Sequence, residues 1–169
     1  RVDTLGAGRV ENVITNMQME RIAAPNGPTK GKILRPSDGK QAKNVAFVQC
    51  AGSRDENHLA YCSYACCMAS LKQVTYLREQ YKDSKAEIFY IDIRTPGRYE
   101  QFYWNVKNDP NVKLTKGKVA RITGEPETGN VVVEAEDVLK GKKVKRTFDM
   151  VVLAAGMASA GKVPGVDYT

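Results

Sequence analysis

The segment "NVAFVQC" (residues 44–50) opens the part of the sequence that decides the fold. It is a short apolar run of strand length, and "EIFYIDI" (residues 87–93) is a second one. Such runs are typical of strands covered on both faces, as in a parallel sheet. Between them, "SYACCMASLKQVTYLREQY" (residues 63–81) places its apolar residues along one broad helical stripe. The three segments predict a strand–helix–strand unit with parallel strands.

Downstream of this unit the sequence predicts one more helix and one more strand, followed by segments with a different hydrophobic pattern. "GRYEQFYWNVKN" (97–108) predicts a second helix and "NVKLTK" (111–116) a third strand. Three short alternating segments separated by glycine-containing turns then predict an antiparallel meander, namely "GKVARITG" (117–124), "NVVVEAEDV" (130–138) and "KKVKRTF" (142–148). "DMVVLAAG" (149–156) predicts one more buried strand. The chain is therefore expected to be an α/β protein with a parallel sheet and an antiparallel meander.

The first 43 residues show the least regular pattern. "NVITNMQMERIA" (12–23) predicts a short helix with Asn12 as N-cap and with Val13, Met17 and Ile22 on one side. The next stretch, residues 24–40, is rich in Pro, Gly and Lys and predicts an extended loop.

Composition limits the classes of function. The 169 residues are 42% hydrophobic and 27% charged, which is typical of a globular domain. No apolar run approaches the ~20 residues of a membrane span, so direct membrane insertion is not expected. The net charge is +7, but the lysines are scattered over turns without interleaved aromatics, so we expect no nucleic-acid partner. Because the chain opens abruptly at Arg1, we treat it as a piece of a larger protein.

The loop after the first apolar strand lacks the glycines that a dinucleotide site requires. A G-x-G-x-x-G turn lets the backbone approach a pyrophosphate, whereas this strand runs into "CAGSRD" with Gly52 alone. Asp92 lies 40 residues beyond Gly52, against about 20 for a ribose-binding carboxylate. An ion pair of Asp92 with Arg94 explains that carboxylate adequately. A nicotinamide-dependent reductase is therefore a disfavoured alternative.

All four cysteines of the chain lie within eighteen residues, at Cys50, Cys62, Cys66 and Cys67. A helix beginning near residues 61–63 would place Cys62 and Cys66 one turn apart on the same face, with Cys50 at the strand tip above them. An iron–sulfur cluster tolerates this irregular spacing and, being anionic, suits the first turn of a helix. Free thiols, disulfides and structural zinc remain open alternatives.

Four polar residues near the thiols are candidates for tuning such a centre. Arg54 and Lys72 could supply compensating positive charge, and Ser53 and Ser63 could donate hydrogen bonds to the sulfurs. Ser63 is equally well explained as a helix cap. His58 is expected to be solvated rather than a ligand.

Several longer motifs, taken with the order of the elements, resemble a known family. These motifs are "CAGSRDENHLAYCSYACCMASLKQ" (50–73), "YIDIRTPGRYEQFY" (90–103), "DMVVLAAGM" (149–157), "NVITNMQMERI" (12–22) and "GPTKGKILRPSDGK" (27–40). With them the chain resembles the A subunit of heterodisulfide reductase, and still more closely the A subunit of the quinone-interacting membrane-bound oxidoreductase of sulfate reducers. The resemblance covers nearly the whole chain.

The resemblance implies a Rossmann-like three-layer domain, similar to the NAD(P)-binding half of thioredoxin-reductase-like flavoproteins. Residues 1–43 would be an irregular arm continuing from an FAD domain outside this chain, residues 44–156 the cluster-bearing domain, and residues 157–169 a tail leading back. The cysteines would be the ligands of a 4Fe–4S cluster, which an isolated piece could lose. Ala154, Ala155 and Gly156 would touch FAD only in the intact protein.

The resemblance also implies a function and partners. The chain would relay electrons within an oxidoreductase complex, without a catalytic residue of its own, in contact with other subunits and with adenylylsulfate reductase as a further partner. It would lie in the cytoplasm, or at the inner membrane face through partner subunits. The alternative function is a zinc-bound or metal-free module that docks partners and has no redox role.

Overall fold

The computed structural model describes residues 2–158, and within them eight strands and three α-helices. The strands are β1 (Val13–Thr15), β2 (Asn44–Val48), β3 (Lys85–Tyr90), β4 (Val112–Lys116), β5 (Val119–Gly124), β6 (Val131–Asp137), β7 (Lys142–Phe148) and β8 (Met150–Leu153). The helices are α1 (Asn16–Ala23), α2 (Cys66–Gln80) and α3 (Glu100–Lys107), the last preceded by a 3-10 turn over Gly97–Tyr99.

Five strands form a parallel sheet in the order β1-β8-β2-β3-β4. The strands β5, β6 and β7 form a separate antiparallel sheet. This confirms the predicted combination of a parallel sheet with an antiparallel meander. The strand–helix–strand unit predicted from residues 44–93 is the centre of the fold.

Each strand of the parallel sheet buries alternate residues on opposite faces, because successive side chains of a strand point in opposite directions. On one face Val45 and Phe47 pack with Leu71, Val74 and Leu77 of α2. On the other face a second core forms against the meander, and its members include Ala46, Val48, Phe89, Val131, Val133, Phe148 and Val151. The molecule is therefore a three-layer sandwich of helices, parallel sheet and antiparallel sheet.

The N-terminal prediction needs two corrections. Residues 13–15 form the edge strand β1, which pairs with β8, so the segment expected to be an irregular arm supplies a strand and a helix to the domain. Asn12 is not a helix cap, because Thr15 caps α1 in a reciprocal capping box with Gln18. Asn12 is buried instead, and its Nδ2 donates to Ser37 Oγ and to the Gly129 carbonyl, both at 2.7 Å.

The predicted helical stripe of residues 13, 17 and 22 is also wrong. Met17 is 71% exposed, whereas Met19 is fully buried and packs into the helix-side core. The shift follows from the later start of the helix, since β1 takes the residues that the pattern assigned to the first turn. Of the predicted tail, residues 159–169 lie outside the described part of the chain.

Candidate functional site

The four cysteines lie at the carboxyl edge of the parallel sheet, between the end of β2 and the first turn of α2. Cys50 follows β2 and adopts a left-handed backbone conformation with φ +54°, which is uncommon for a residue with a Cβ atom. Arg54 and Tyr64 share that conformation, with φ +55° and +58°. Strained backbone of this kind clusters at ligand-binding segments, and three of the four such residues among those described lie in this one loop.

The helix that carries two of the thiols begins later than the sequence predicts. The first helical residue of α2 is Cys66, so Cys62 precedes the helix instead of occupying its first turn. Ser63 does not cap α2, which has no side-chain cap. Its Oγ instead accepts a hydrogen bond of 2.8 Å from the Met157 backbone N–H.

The loop after β8 closes against the thiol loop. The Ala51 N–H donates to the Ala154 carbonyl at 3.1 Å, and the Tyr61 hydroxyl donates to the Met157 carbonyl at 3.0 Å. Gly52 approaches the same loop so closely that a Cβ atom on it would lie 2.2 Å from the Ala155 carbonyl oxygen. Only glycine permits this approach, which explains the glycine at this position.

The sulfurs lie in one neighbourhood. Burial raises the pKa of Cys50, Cys66 and Cys67 above the ordinary thiol value, and the charges of the neighbouring thiols raise it further. Cys50 and Cys67 are buried, whereas Cys62 and Cys66 are half-buried, so the group opens to solvent on the side of the latter two.

Backbone N–H groups face three of the sulfurs. The Tyr64 N–H donates to Cys62 Sγ at 3.4 Å. Hydrogen bonds from the Gly156 and Arg94 backbone N–H groups lower the pKa of Cys66 and of Cys67, respectively, although burial outweighs them. These N–H bonds favour a thiolate over a thiol, whereas the Cys67 Sγ–H donates to the Asp92 carbonyl at 3.9 Å, which favours the thiol. No sequence pattern predicts them, because they depend on loops that meet only in the folded chain.

The charged residues near the site are paired with one another. Arg54 donates to the Asp92 carboxylate at 2.5 Å, and Arg94 lies 3.5 Å from the same oxygen. The charge of Arg54 lowers the pKa of Cys50, against the larger effect of burial. Lys72 lies away from the thiols, since it pairs with Glu20 at 3.1 Å. The expected ion pair of Asp92 is therefore present, with Arg54 as a second partner that the spacing did not reveal.

The other residues that the sequence suggested for the site lie around its edges. His58 is exposed in the polar loop, and its backbone N–H donates to the Asp55 carbonyl. Ser53 is buried. Ala154 is fully buried at the end of β8, and Ala155 and Gly156 are half-buried against the thiol loop.

The thiols do not converge as the ligands of a single metal ion would. Within residues 2–158, no three His, Cys, Asp or Glu side chains are grouped so as to hold one metal ion. In a cluster each thiolate binds a different iron, so four neighbouring thiols with N–H donors suit that chemistry without meeting at a single point. The residues present therefore fit an iron–sulfur cluster by donor type and by neighbourhood.

Sequence reasoning missed two buried polar side chains at this edge. Gln49 is 5% exposed and Ser70 is 1% exposed, and Gln49 Oε1 and Ser70 Oγ have no hydrogen-bond partner. A polar residue at the end of an apolar strand, and another on the apolar stripe of a helix, were the signals that could have identified them.

The fold defines the class of this domain, namely a three-layer α/β domain with a parallel and an antiparallel sheet. Its structure is similar to thioredoxin reductase from Giardia duodenalis, with a TM-score of 0.50 and 15% identity over 86% of this chain and 36% of that one. The similarity supports the predicted fold.

The sequence is homologous to part of the A subunit of heterodisulfide reductase. It is 44% identical to the second iron–sulfur A subunit of CoB–CoM heterodisulfide reductase of Methanopyrus kandleri, over 90% of this chain. It is 42% identical to the corresponding iron–sulfur A subunit of Methanocaldococcus jannaschii, again over 90% of this chain. The chain spans 24% of the length of each of these relatives. No protein-family model matches it.

Within the described residues, no helix has both the length and the apolar character needed to cross a membrane.

Proposed function

We propose that this chain is the cluster-bearing part of a larger electron-transferring flavoprotein, and that Cys50, Cys62, Cys66 and Cys67 hold a 4Fe–4S cluster. The observation that carries the proposal is the placement of all four thiols at the carboxyl edge of the parallel sheet, between the end of β2 and the first turn of α2, with two of them buried and two half-buried. This edge is where domains of this class bind their ligands. The relative from Methanopyrus kandleri is named an iron–sulfur subunit, which supports the same choice.

A 4Fe–4S cluster supplies one-electron transfer when it is bound. The residues of this chain would provide its environment. The buried Cys50 and Cys67 exclude water from one side, and N–H donors to three sulfurs offset negative charge. Cys62 and Cys66 lie on the open side, where an electron partner could approach.

The flavin would be bound in the longer protein of which this chain is proposed to be a part. FAD would be bound mainly by parts that correspond to the remaining length of the relatives, with Ala154, Ala155 and Gly156 at the contact. Ala154 could contribute only through its backbone, because its side chain is fully buried. Electrons would then pass between the flavin and centres in partner subunits.

The setting of the protein is part of the same proposal. We place it in a cytoplasmic complex. Partner subunits would hold that complex at the inner face of the membrane. We extend the proposal to adenylylsulfate reductase as an electron acceptor in sulfate reduction, because the sequence motifs also resemble the quinone-interacting oxidoreductase.

Anaerobic reconstitution with iron and sulfide tests the proposal. We expect about four irons and four sulfides per chain, with broad visible absorbance. Cys62→Ser and Cys66→Ser should each reduce bound iron and sulfide strongly, because each removes one ligand. His58→Ala is the matched control in the same loop and should bind as much iron as the unaltered chain. A colourless protein with stoichiometric zinc would refute the relay and favour the docking module.

A further inference from the structure

A few polar side-chain atoms are buried without a hydrogen-bond partner in the described part of the chain. Among the described residues, four side-chain atoms are buried without a hydrogen bond, namely Arg35 Nε, Gln49 Oε1, Ser70 Oγ and Gln73 Oε1. Arg35 Nε has an ion pair with Asp38 at 3.2 Å. Gln73 lies two turns along α2 and its Nε2 donates to α1, at the Asn16 carbonyl and Glu20. Gln49 and Ser70 remain, at the end of β2 and in the first turns of α2.

Ser70 lies directly below the two cysteines that begin α2. It follows Cys66 by four residues and Cys67 by three, and these spacings place side chains on the same face of a helix. Because α2 returns antiparallel to β2, its first turns lie over the carboxyl end of that strand. Gln49 extends the row of Val45 and Phe47 on the same face, so its side chain points to the α2 side of the sheet.

A serine at this position reduces the stability of the metal-free protein. Alanine is the better helix former, and a buried hydroxyl without a partner carries an uncompensated desolvation cost. The hydroxyl does not bond back to the Cys66 carbonyl, which is the usual partner of a serine inside a helix. Ser70 is therefore a donor whose acceptor is missing from the protein itself.

We infer that Ser70 is a positioning residue of the thiol site, and that its hydroxyl donates a hydrogen bond to a sulfur of the bound cluster. This inference rests on the proposed function. A thiolate or sulfide accepts such a bond, and the bond is stronger when the cluster carries an additional electron. Ser70 therefore raises the reduction potential, as other donors to cluster sulfurs do.

The test compares Ser70→Ala with Ser84→Ala. Ser84 is also a fully buried serine, but its Oγ donates to the Tyr81 carbonyl at 2.6 Å, beyond the far end of α2. In the metal-free chain, Ser70→Ala should unfold at the same or higher denaturant concentration than the unaltered chain, whereas Ser84→Ala should unfold at a lower one. After reconstitution, Ser70→Ala should shift the midpoint potential to more negative values and Ser84→Ala should not. A tenfold decrease in the equilibrium constant for reduction of the cluster corresponds to a shift of 59 mV in the midpoint potential of a one-electron couple.

The outcomes separate this inference from the proposed function. If the unaltered chain takes up no iron and sulfide, the proposed function fails, and the role of Ser70 fails with it. If the cluster forms and Ser70→Ala leaves the potential unchanged, only the inference is overturned. It is also overturned if Ser70→Ala destabilises the metal-free chain as Ser84→Ala does, because the hydroxyl would then have a partner within the protein.

Discussion

Gly52→Ala should separate the two loops that enclose the thiol site. The added Cβ atom would lie 2.2 Å from the Ala155 carbonyl oxygen, whereas ordinary contacts begin at 3.4 Å, so the loops must move apart by about 1.2 Å. The hydrogen bond of 3.1 Å from the Ala51 N–H to the Ala154 carbonyl would then exceed hydrogen-bonding range. The Gly156 N–H would move away from Cys66 at the same time.

The magnitude follows from two contributions. Overpacking costs about 1–3 kcal/mol and the lost hydrogen bond about 0.5–1.5 kcal/mol. The sum is roughly 1.5–4.5 kcal/mol, which corresponds to a fall in Tm of about 3–18 °C for a domain of this size. We further expect the substitution to reduce the iron and sulfide that the chain retains after anaerobic reconstitution.

Gly27→Ala provides the matched control. Its Cβ atom would lie 2.0 Å from the Arg21 carbonyl oxygen, in the turn after α1 and away from the cysteines. Thermal unfolding of the metal-free variants should show a loss of stability for both, and metal analysis should show a loss of iron for Gly52→Ala alone. An unchanged Tm for Gly52→Ala would refute the steric argument. Equal iron retention in the two variants would refute the role of this contact in shaping the site.

Three further substitutions give distinct expectations. Arg54→Gln removes a positive charge beside Cys50 and a partly exposed ion pair with Asp92, so we expect a more negative midpoint potential of the reconstituted protein with a stability change of at most about 1 kcal/mol; an unchanged potential would contradict this. Arg78→Met removes the hydrogen bond of 2.8 Å to Asp109 and those to the Lys82 and Ser84 carbonyls at 2.8 and 2.6 Å, and should cost at least about 1.5–3 kcal/mol in urea unfolding at pH 7. Burial raises the pKa of Asp109, but the bonds from Arg78 and the neighbouring backbone outweigh it, so the pKa lies below 3.8. The part of this stabilisation that depends on the Asp109 charge is complete above pH 3.8 and is lost as the pH falls through the lowered pKa. The difference in stability between the two proteins should therefore narrow in acid without vanishing, because the carbonyl partners of Arg78 do not titrate; a constant difference would count against it. Thr15→Ala removes the cap of α1 and should cost about 0.5–2 kcal/mol by the same assay, with Thr15→Ser as the control that retains it.

Much of the fold could be predicted from the sequence because the hydrophobic pattern depends on local geometry. The apolar runs at residues 44–50 and 87–93 became β2 and β3, and the stripe between them became α2. The meander was recognisable because strands with one solvated face alternate in polarity. These features need only the periods of the strand and the helix.

The short strand β1 could not be predicted in this way. Three residues carry too little pattern, and they are extended because β8 offers unpaired backbone groups beside them. The late start of α2 has a similar cause. The Ser63 hydroxyl and the Tyr61 side chain are bound by the loop after β8, which draws the preceding residues out of the helix.

The sequence by itself determined most of the strands and helices, the division into a parallel sheet and an antiparallel meander, and that four thiols lie within eighteen positions. Only the tertiary structure decided that Gly156 and Arg94 donate to the sulfurs, that Arg54 pairs with Asp92, and that Ser70 is left without a partner. The physical reason is distance along the chain. Periodicity reports what neighbouring residues share, whereas these contacts join segments that come together only when the parallel sheet aligns the carboxyl ends of its strands.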